Sequence, residues 1–367
     1  MTLIPATSPT SKGKVLLTGG TGFIASHILD TLLDHGYDVV TTVRSQEKGQ
    51  RLLQSIDKPF APRVSFAIVP ELDAPSAWDG VLKSHQPIYV IHTASPCKTT
   101  GFVDPEEECL SPAINGTTGI LKAIKAHAPF VKRVVITSSS AAILSPPNHR
   151  QVYDESCWCD ITWEQGAKNP PARPDDNYRA SKKFAERAAW DFMTKESPAF
   201  SLATICTTLT FGPLQRSLGM PPSRGQKLTS INDSNQRFLD MVQGKMKNEI
   251  KPTAPVFTFV DVRDVALAHV RAMENRDAGG KRFYVVGGMF SNAKAAGIVR
   301  DNFEEVKGQL PPADETEKWK DDFPESHWRF DNSRSKEVLG IKYRGLEESV
   351  LDTVRSILEH ENGAAKN

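Results

Sequence analysis

An α/β fold, built as a doubly wound parallel sheet, is what the sequence predicts, and two observations carry that prediction. Short apolar runs of strand length alternate with longer stretches of helical period, the pattern of repeated strand–helix–strand units. A glycine-rich turn, Gly19-Gly20-Thr21-Gly22, stands between the first such run and the first helical stretch. Lys14-Val15-Leu16-Leu17-Thr18 reads as a buried strand, and the turn leads through Phe23-Ile24-Ala25 into a helix with Ile24, Ile28 and Leu32 at helical spacing. Gly36 and Asp38 make the next turn, and Val39-Val40-Thr41-Thr42-Val43 is the second strand, closed by Arg44.

Further strands fall at 64–69, 88–92, 133–137 and 201–206, separated by helical patterns such as 112–127 and 178–196. Residues 145–176, rich in Pro, Asp and Trp, read as a long loop. Residues 212–234 read as a mobile flap, because loops this long without structure of their own are usually functional or disordered. Later strands are expected at 257–260 and 282–286, and a closing helix places Leu346, Val350, Val354 and Ile357 on one face.

Composition narrows the function classes. A chain of 367 residues with a net charge of +1 gives no electrostatic reason to expect nucleic acid or a membrane surface as partner. The N-terminal residues lack a cationic segment followed by an apolar one, and no stretch approaches the roughly 18 apolar residues of a membrane span, so a cytoplasmic protein is expected. The five cysteines, Cys97, Cys109, Cys157, Cys159 and Cys206, are odd in number and lack zinc-site spacing; they read as reduced thiols, and no metal site is expected.

The glycine turn has a chemical reading. Gly19 and Gly22 let the backbone approach a pyrophosphate, and the helix N-terminus behind Thr21, Phe23 and Ile24 offers unpaired N–H groups and a positive dipole end to that anion. A strand before it and an amphipathic helix after it are the context of a dinucleotide fingerprint. At the end of the second strand an NAD-binding chain usually carries Asp or Glu for the ribose hydroxyls. Arg44 stands there instead, with Lys48 one helical turn later, and a guanidinium accommodates a 2′-phosphate. NADPH/NADP+ is therefore the expected cofactor, the alternative being that Arg44 and Lys48 are a solvated basic pair.

Tyr178 and Lys182 stand four residues apart, a spacing that puts phenol and ammonium on one helix face. A free tyrosine titrates near 10. An ammonium held nearby favours the phenolate, and a serine from the run Thr137-Ser138-Ser139-Ser140 could hold a substrate oxygen. That is machinery for moving a proton onto or off a carbonyl oxygen, although two surface residues also meet at this spacing by chance.

Several blocks in order resemble the extended short-chain dehydrogenases/reductases. The resemblance is to plant dihydroflavonol 4-reductases and, more closely, to fungal NADPH-dependent aldehyde/ketone reductases of the methylglyoxal type. It rests on Thr18-Gly19-Gly20-Thr21-Gly22-Phe23-Ile24-Ala25, Val43-Arg44, His92-Thr93-Ala94-Ser95-Pro96 and Asn115-Gly116-Thr117. Val135-Ile136-Thr137-Ser138-Ser139, Asp154-Glu155-Ser156-Cys157-Trp158, Tyr178-x-x-Ser181-Lys182 and Phe259-Val260-Asp261-Val262-Arg263-Asp264-Val265-Ala266 complete it. The resemblance implies a Rossmann-type domain over 1–206, including the 145–176 loop. A smaller, mainly substrate-binding region over 207–367 would return 256–275 and 282–287 to the Rossmann core.

It also implies roles. Tyr178 would donate the proton, Lys182 would hold the nicotinamide ribose, Ser139 would polarise the carbonyl, and Asn115 would support the proton path unless it is only a capping or turn residue. Thr93, Ala94, Ser95 and Thr207 would line the cofactor, and Glu71 and Leu72 would flank the adenine. His92 reads as a core histidine. Two departures matter: Leu144 stands where the plant enzymes carry an asparagine that grips the flavonoid ring, and Cys206-Thr207 stands where the fungal enzymes usually have Asn-Pro. The expected activity is reduction of a small-molecule aldehyde, ketone or α-dicarbonyl, with Ser139, Leu144 and Tyr178 facing the substrate. A hydroxysteroid-type or nucleotide-sugar-type dehydrogenase and a non-catalytic NADP-sensing regulator are the alternatives; the sequence does not distinguish a monomer from a homodimer.

Overall fold

The computed structural model describes residues 11–95, 101–215, 227–323 and 328–362. Seven strands form the main sheet: β1 (Lys14–Thr18), β2 (Asp38–Val43), β3 (Val64–Ile68), β4 (Tyr89–His92), β5 (Arg133–Ser139), β7 (Ser201–Thr207) and β10 (Lys281–Val285). Between β5 and β7 lies the two-residue strand β6 (Val152–Tyr153), and between β7 and β10 lie β8 (Leu209–Phe211) and β9 (Thr258–Asp261). The strand order is β10-β7-β5-β4-β1-β2-β3, and every pairing is parallel. The order reverses between β1 and β4, so a crevice opens at the carboxyl ends of those two strands.

Both faces of the sheet are covered, which is why its strands are apolar at successive positions. Successive side chains alternate in direction. Val15, Leu17, Val39, Ile91, Val135 and Ile205 join the core under α1 (Phe23–Asp34) and α8 (Val262–Glu274). Leu16, Val40, Val90, Val134, Ile136 and Leu202 join the opposite core, under α3 (Asp79–His85), α4 (Ser111–His127) and α6 (Asp176–Glu196). Each of these fully buried aliphatic side chains contributes about 1.5–3 kcal/mol. The short helix α2 (Gln46–Ser55) follows β2, with Ser45 accepting from the Lys48 N–H as its cap.

The rest of the chain builds a second layer beside the sheet's carboxyl edge. A small sheet orders β11 (Gly288–Met289), β9 and β8. It packs with α7 (Asp233–Val242), α9 (Asn292–Asn302), α10 (Glu304–Lys307) and α12 (Leu346–Glu361) around Phe211, Phe238, Phe259 and Phe290. Helix α12 turns Val350, Val354 and Ile357 into that core. Among the described residues no helix is long and apolar enough to cross a membrane.

Two expectations change here. Strand β9 does not return to the main sheet: it pairs parallel with β8 and antiparallel with β11, while α8 directly after it packs on α1, and β10 takes the sheet edge beside β7. Residues 145–176 are not structureless. They hold β6, which pairs with β12 (Arg329–Phe330), and the short helix α5 (Trp163–Ala167), closed by a capping box between Thr162 and Gln165. Of the expected flap, residues 216–226 lie outside the described residues, and its last two residues belong to the start of α7. The short helix α11 (Ser333–Leu339) lies between β12 and α12 and packs on β10 and α8.

Candidate active site

A cavity of about 890 Å³ opens at the carboxyl ends of β1, β2, β4, β5 and β7. It is lined by Gly19, Thr21, Gly22, Phe23, Ile24, Arg44, Lys48, Leu72, Thr93, Ala94, Ser95, Ser139, Leu144, Tyr178, Lys182 and Thr207.

At one end is the glycine turn. Gly19 has φ +73°, a left-handed backbone conformation that L side chains rarely adopt. A Cβ there would also press on Ala94, and one at Gly20 would overlap the Thr41 hydroxyl. The Gly19 N–H donates to Thr42 Oγ1 at 3.1 Å, which ties the turn to β2. Gly22 caps α1 without a side chain, so the first N–H groups of the helix lack a side-chain acceptor. Arg44 and Lys48 are exposed at the cavity's rim, and among the described residues neither makes an ion pair or side-chain hydrogen bond. A close-approach turn, an uncapped helix start and two unpaired cations are the donor set that a dinucleotide with a 2′-phosphate requires.

Thr18 organises the neighbouring turn, a role the sequence reading missed. Its Oγ1 accepts from the N–H groups of Thr93 and Ala94, both at 3.0 Å, and lies 2.9 Å from His92 Nδ1. With two N–H groups already accepted, the Thr18 proton goes to Nδ1, so His92 is protonated on Nε2. Burial, helped by the Lys182 charge, lowers the His92 pKa to about 4 and keeps the ring neutral. The turn so fixed presents Ser95, whose Oγ accepts from Lys182 Nζ at 3.0 Å.

Helix α6 carries Tyr178 in its first turn and Lys182 one turn on; Nζ lies 5.4 Å from the centre of the Tyr178 ring. The helix start is pinned by Arg173, whose N–H and Nε each donate to Asp176 at 3.1 Å. Arg179, also unanticipated, is buried at the cavity and donates from Nη2 to the Leu144 carbonyl at 3.1 Å, fastening the loop after β5 to α6.

Strand β5 ends in the serine run. Ser138 donates to Glu186 Oε2 at 2.7 Å, whereas Ser139 Oγ accepts from the Ala141 N–H at 3.1 Å, which leaves the Ser139 hydroxyl proton free to donate into the cavity. Ser140 is buried in the short turn that follows. Leu144 is 3 % exposed: it lines the cavity and also packs with Tyr153, Tyr284 and Trp328. At the Cys206-Thr207 departure, Thr207 bonds Thr210 Oγ1 at 3.0 Å, and Thr208 bonds Thr258 Oγ1 at 2.6 Å, so a threonine network forms that wall. Asn232, Ser234, Pro255 and Val256 add to the cavity from the second layer.

Two expected residues are elsewhere. Asn115 is exposed on the outer face of α4 and lines a separate groove with Asp79, Thr118 and Lys122; it is not part of the cavity wall. The inward positions of α4 are Ala113, Gly116, Thr117, Ile120 and Ile124, and that phase turns position 115 out. Glu71 is exposed and is not in the cavity wall, where Val69 and Leu72 stand in that region. Cys109, Cys157, Cys159 and Cys206 are buried, with no disulfide among the described residues, and Cys97 lies outside the described residues.

Fold and cavity together define a nicotinamide-dinucleotide-binding α/β protein of the short-chain type. The chain matches the NAD dependent epimerase/dehydratase family over residues 15–287 and belongs to that family of extended short-chain dehydrogenases/reductases. It is 46% identical over 347 residues to the ketoreductase azaE of Aspergillus niger, covering 94% of this chain and 98% of that protein. To the NADPH-dependent methylglyoxal reductase GRE2 of Saccharomyces cerevisiae it is 33% identical over 360 residues, covering 95% and 99%. The solved structure of Gre2 from Candida albicans in complex with NADPH superposes with a TM-score of 0.82 at 35% identity, covering 95% of this chain and 99% of that one.

Proposed function

We propose that the protein is an NADPH-dependent carbonyl reductase that converts an aldehyde, ketone or α-dicarbonyl to the alcohol, with Tyr178 as proton donor. One observation carries the roles: the Tyr178 phenol and the free Ser139 hydroxyl line the same cavity as Arg44 and Lys48. NADPH, when bound, would supply the hydride for the carbonyl carbon. Arg44 and Lys48 would take its 2′-phosphate, the start of α1 its pyrophosphate, and Ser95, Lys182 and Thr207 would line its nicotinamide end.

The Ser139 hydroxyl donates to the substrate oxygen and orients it. Tyr178 makes no side-chain hydrogen bond among the described residues, so its hydroxyl is open to that same oxygen and passes its proton there. The Lys182 ammonium stabilises the charge left on the phenol, and Ser95 keeps it from swinging away. Leu144, Pro146, Pro174, Pro255 and Val256 give the substrate end an apolar wall, which favours small or aliphatic carbonyls over polyhydroxylated rings. The substrate would be a diffusible small molecule, and the expected location of the reaction is the cytoplasm.

Incubating the purified protein with NADPH or NADH and a panel of short aldehydes, aryl ketones and α-dicarbonyls tests this. NADPH consumption with at least one class, and much slower NADH consumption, is the expected result. Binding without consumption would mark a sensor instead.

A further inference from the structure

Glu186 lies outside the cavity, wholly buried on α6, one turn beyond Lys182 and two beyond Tyr178. Arg282 of β10 grips its carboxylate with Nε to Oε1 at 2.8 Å and Nη2 to Oε2 at 3.1 Å. Two hydroxyls donate to the same group: Ser138 of β5 to Oε2 at 2.7 Å, and Thr204 of β7 to Oε1 at 2.7 Å. Arg282 is itself fixed, donating to the Glu155 and Cys157 carbonyls at 2.6 and 2.8 Å and lying 3.7 Å from the centre of the Trp158 ring. Four elements thus meet on one carboxylate. A buried ion pair is poor evidence for stability, because desolvation offsets its attraction, and its value here is better sought in geometry.

We propose that Glu186 is a positioning residue for the reduction: by holding Ser138 it turns Ser139 into the cavity and locks β5 to the helix that carries Tyr178 and Lys182. The proposal rests on the reading of Ser139, Tyr178 and Lys182 as the reacting set. Neighbouring side chains on a strand point in opposite directions, so a Ser138 held by Glu186 at the edge of the cavity commits Ser139 to point away from that carboxylate. From Ser139 to Tyr178 the path is then one strand residue, one hydrogen bond and two helical turns, all rigid. Thr204 serves as an internal control: it bonds the same carboxylate yet neighbours no member of the reacting set.

Four variants test this: Ser138→Ala, Glu186→Gln, the two combined, and Thr204→Val, each measured for kcat, KM for NADPH, cofactor affinity and thermal midpoint. Because a misplacement of about 1 Å costs of the order of 100-fold, Ser138→Ala and Glu186→Gln should each lower kcat by roughly 10- to 100-fold, with KM and affinity for NADPH within about twofold. The double variant should be no slower than the slower single one, since both break one link. Thr204→Val should lower the midpoint but leave kcat within about twofold. The proposal is overturned if Ser138→Ala lowers only the midpoint, if Thr204→Val slows kcat as much as Ser138→Ala does, or if the two single effects multiply. Should Glu186→Gln not fold, Ser138→Ala against Thr204→Val decides alone, because both keep the ion pair. Tyr178→Phe in the same assay separates the two readings: if it retains turnover, the reacting set itself is wrong, whatever the other variants do.

Discussion

Lys182 Nζ lies 5.4 Å from the centre of the Tyr178 ring, one turn along the same helix. Removing the phenol hydroxyl should leave the cofactor site intact and remove the proton source. Tyr178→Phe is expected to bind NADPH normally while kcat falls by about 10²- to 10⁴-fold. Lys182→Met should lose activity and also bind NADPH more weakly. Near-normal turnover in folded Tyr178→Phe protein would refute the assignment.

Arg44 and Lys48, at the end of β2 and the start of α2, have no side-chain partner among the described residues. Of the two nicotinamide cofactors only NADPH carries the 2′-phosphate that we propose they hold. Arg44→Leu should raise KM for NADPH by roughly 10- to 100-fold, the loss of a hydrogen bond between charged groups, and leave KM for NADH nearly unchanged. Equal effects on both cofactors would contradict the 2′-phosphate role.

Leu144 belongs at once to the cavity wall and to a packed cluster with Tyr153, Tyr284 and Trp328. Leu144→Ala should therefore cost about 2–5 kcal/mol of stability and at the same time shift specificity toward a bulky aryl ketone over a short aldehyde, by roughly tenfold in kcat/KM. Leu144→Asn should improve the relative rate on a dihydroflavonol. If the constants for all three substrates change in parallel, Leu144 only packs.

His269 is wholly buried; the Val265 carbonyl accepts from its Nδ1 at 2.8 Å, which leaves Nε2 to accept from Thr137 Oγ1 at 2.7 Å. Burial lowers its pKa from 6.5 to about 4. Between these values the unfolded chain takes up the proton and the folded one does not, so stability is lost as pH falls below 6.5. At pH 5 this group should cost about 2 kcal/mol relative to pH 7. His269→Gln should flatten the fall in unfolding free energy between pH 7 and 5 by about that amount. An unchanged slope would place the acid sensitivity elsewhere.

What the sequence disclosed was local. Strand and helix periods gave the sheet, and the spacing of Tyr178 and Lys182 and the glycine turn before Phe23 gave two corners of the cavity, because each depends on residues within a turn or two. The phase of α4 was also on the page: Lys122, seven residues after Asn115, marks the outward face that Asn115 shares. Non-local pairings were not legible. Strand β6 exists because Tyr153 meets Phe330, and an apolar run such as Phe259-Val260 does not say which of two sheets it will join. The links from Thr18 to Ala94, Arg179 to Leu144 and Glu186 to Arg282 likewise depend on residues brought together only by folding.

The most direct measurement follows deuterium from the C4 position of labelled NADPH during turnover of a small α-dicarbonyl, with wild-type protein and Tyr178→Phe side by side. The account predicts deuterium on the former carbonyl carbon of the alcohol product with wild type, and almost no product with the variant although NADPH still binds. NADPH binding without deuterium transfer by the wild-type protein to any carbonyl of the panel, or equal transfer by both proteins, would contradict it.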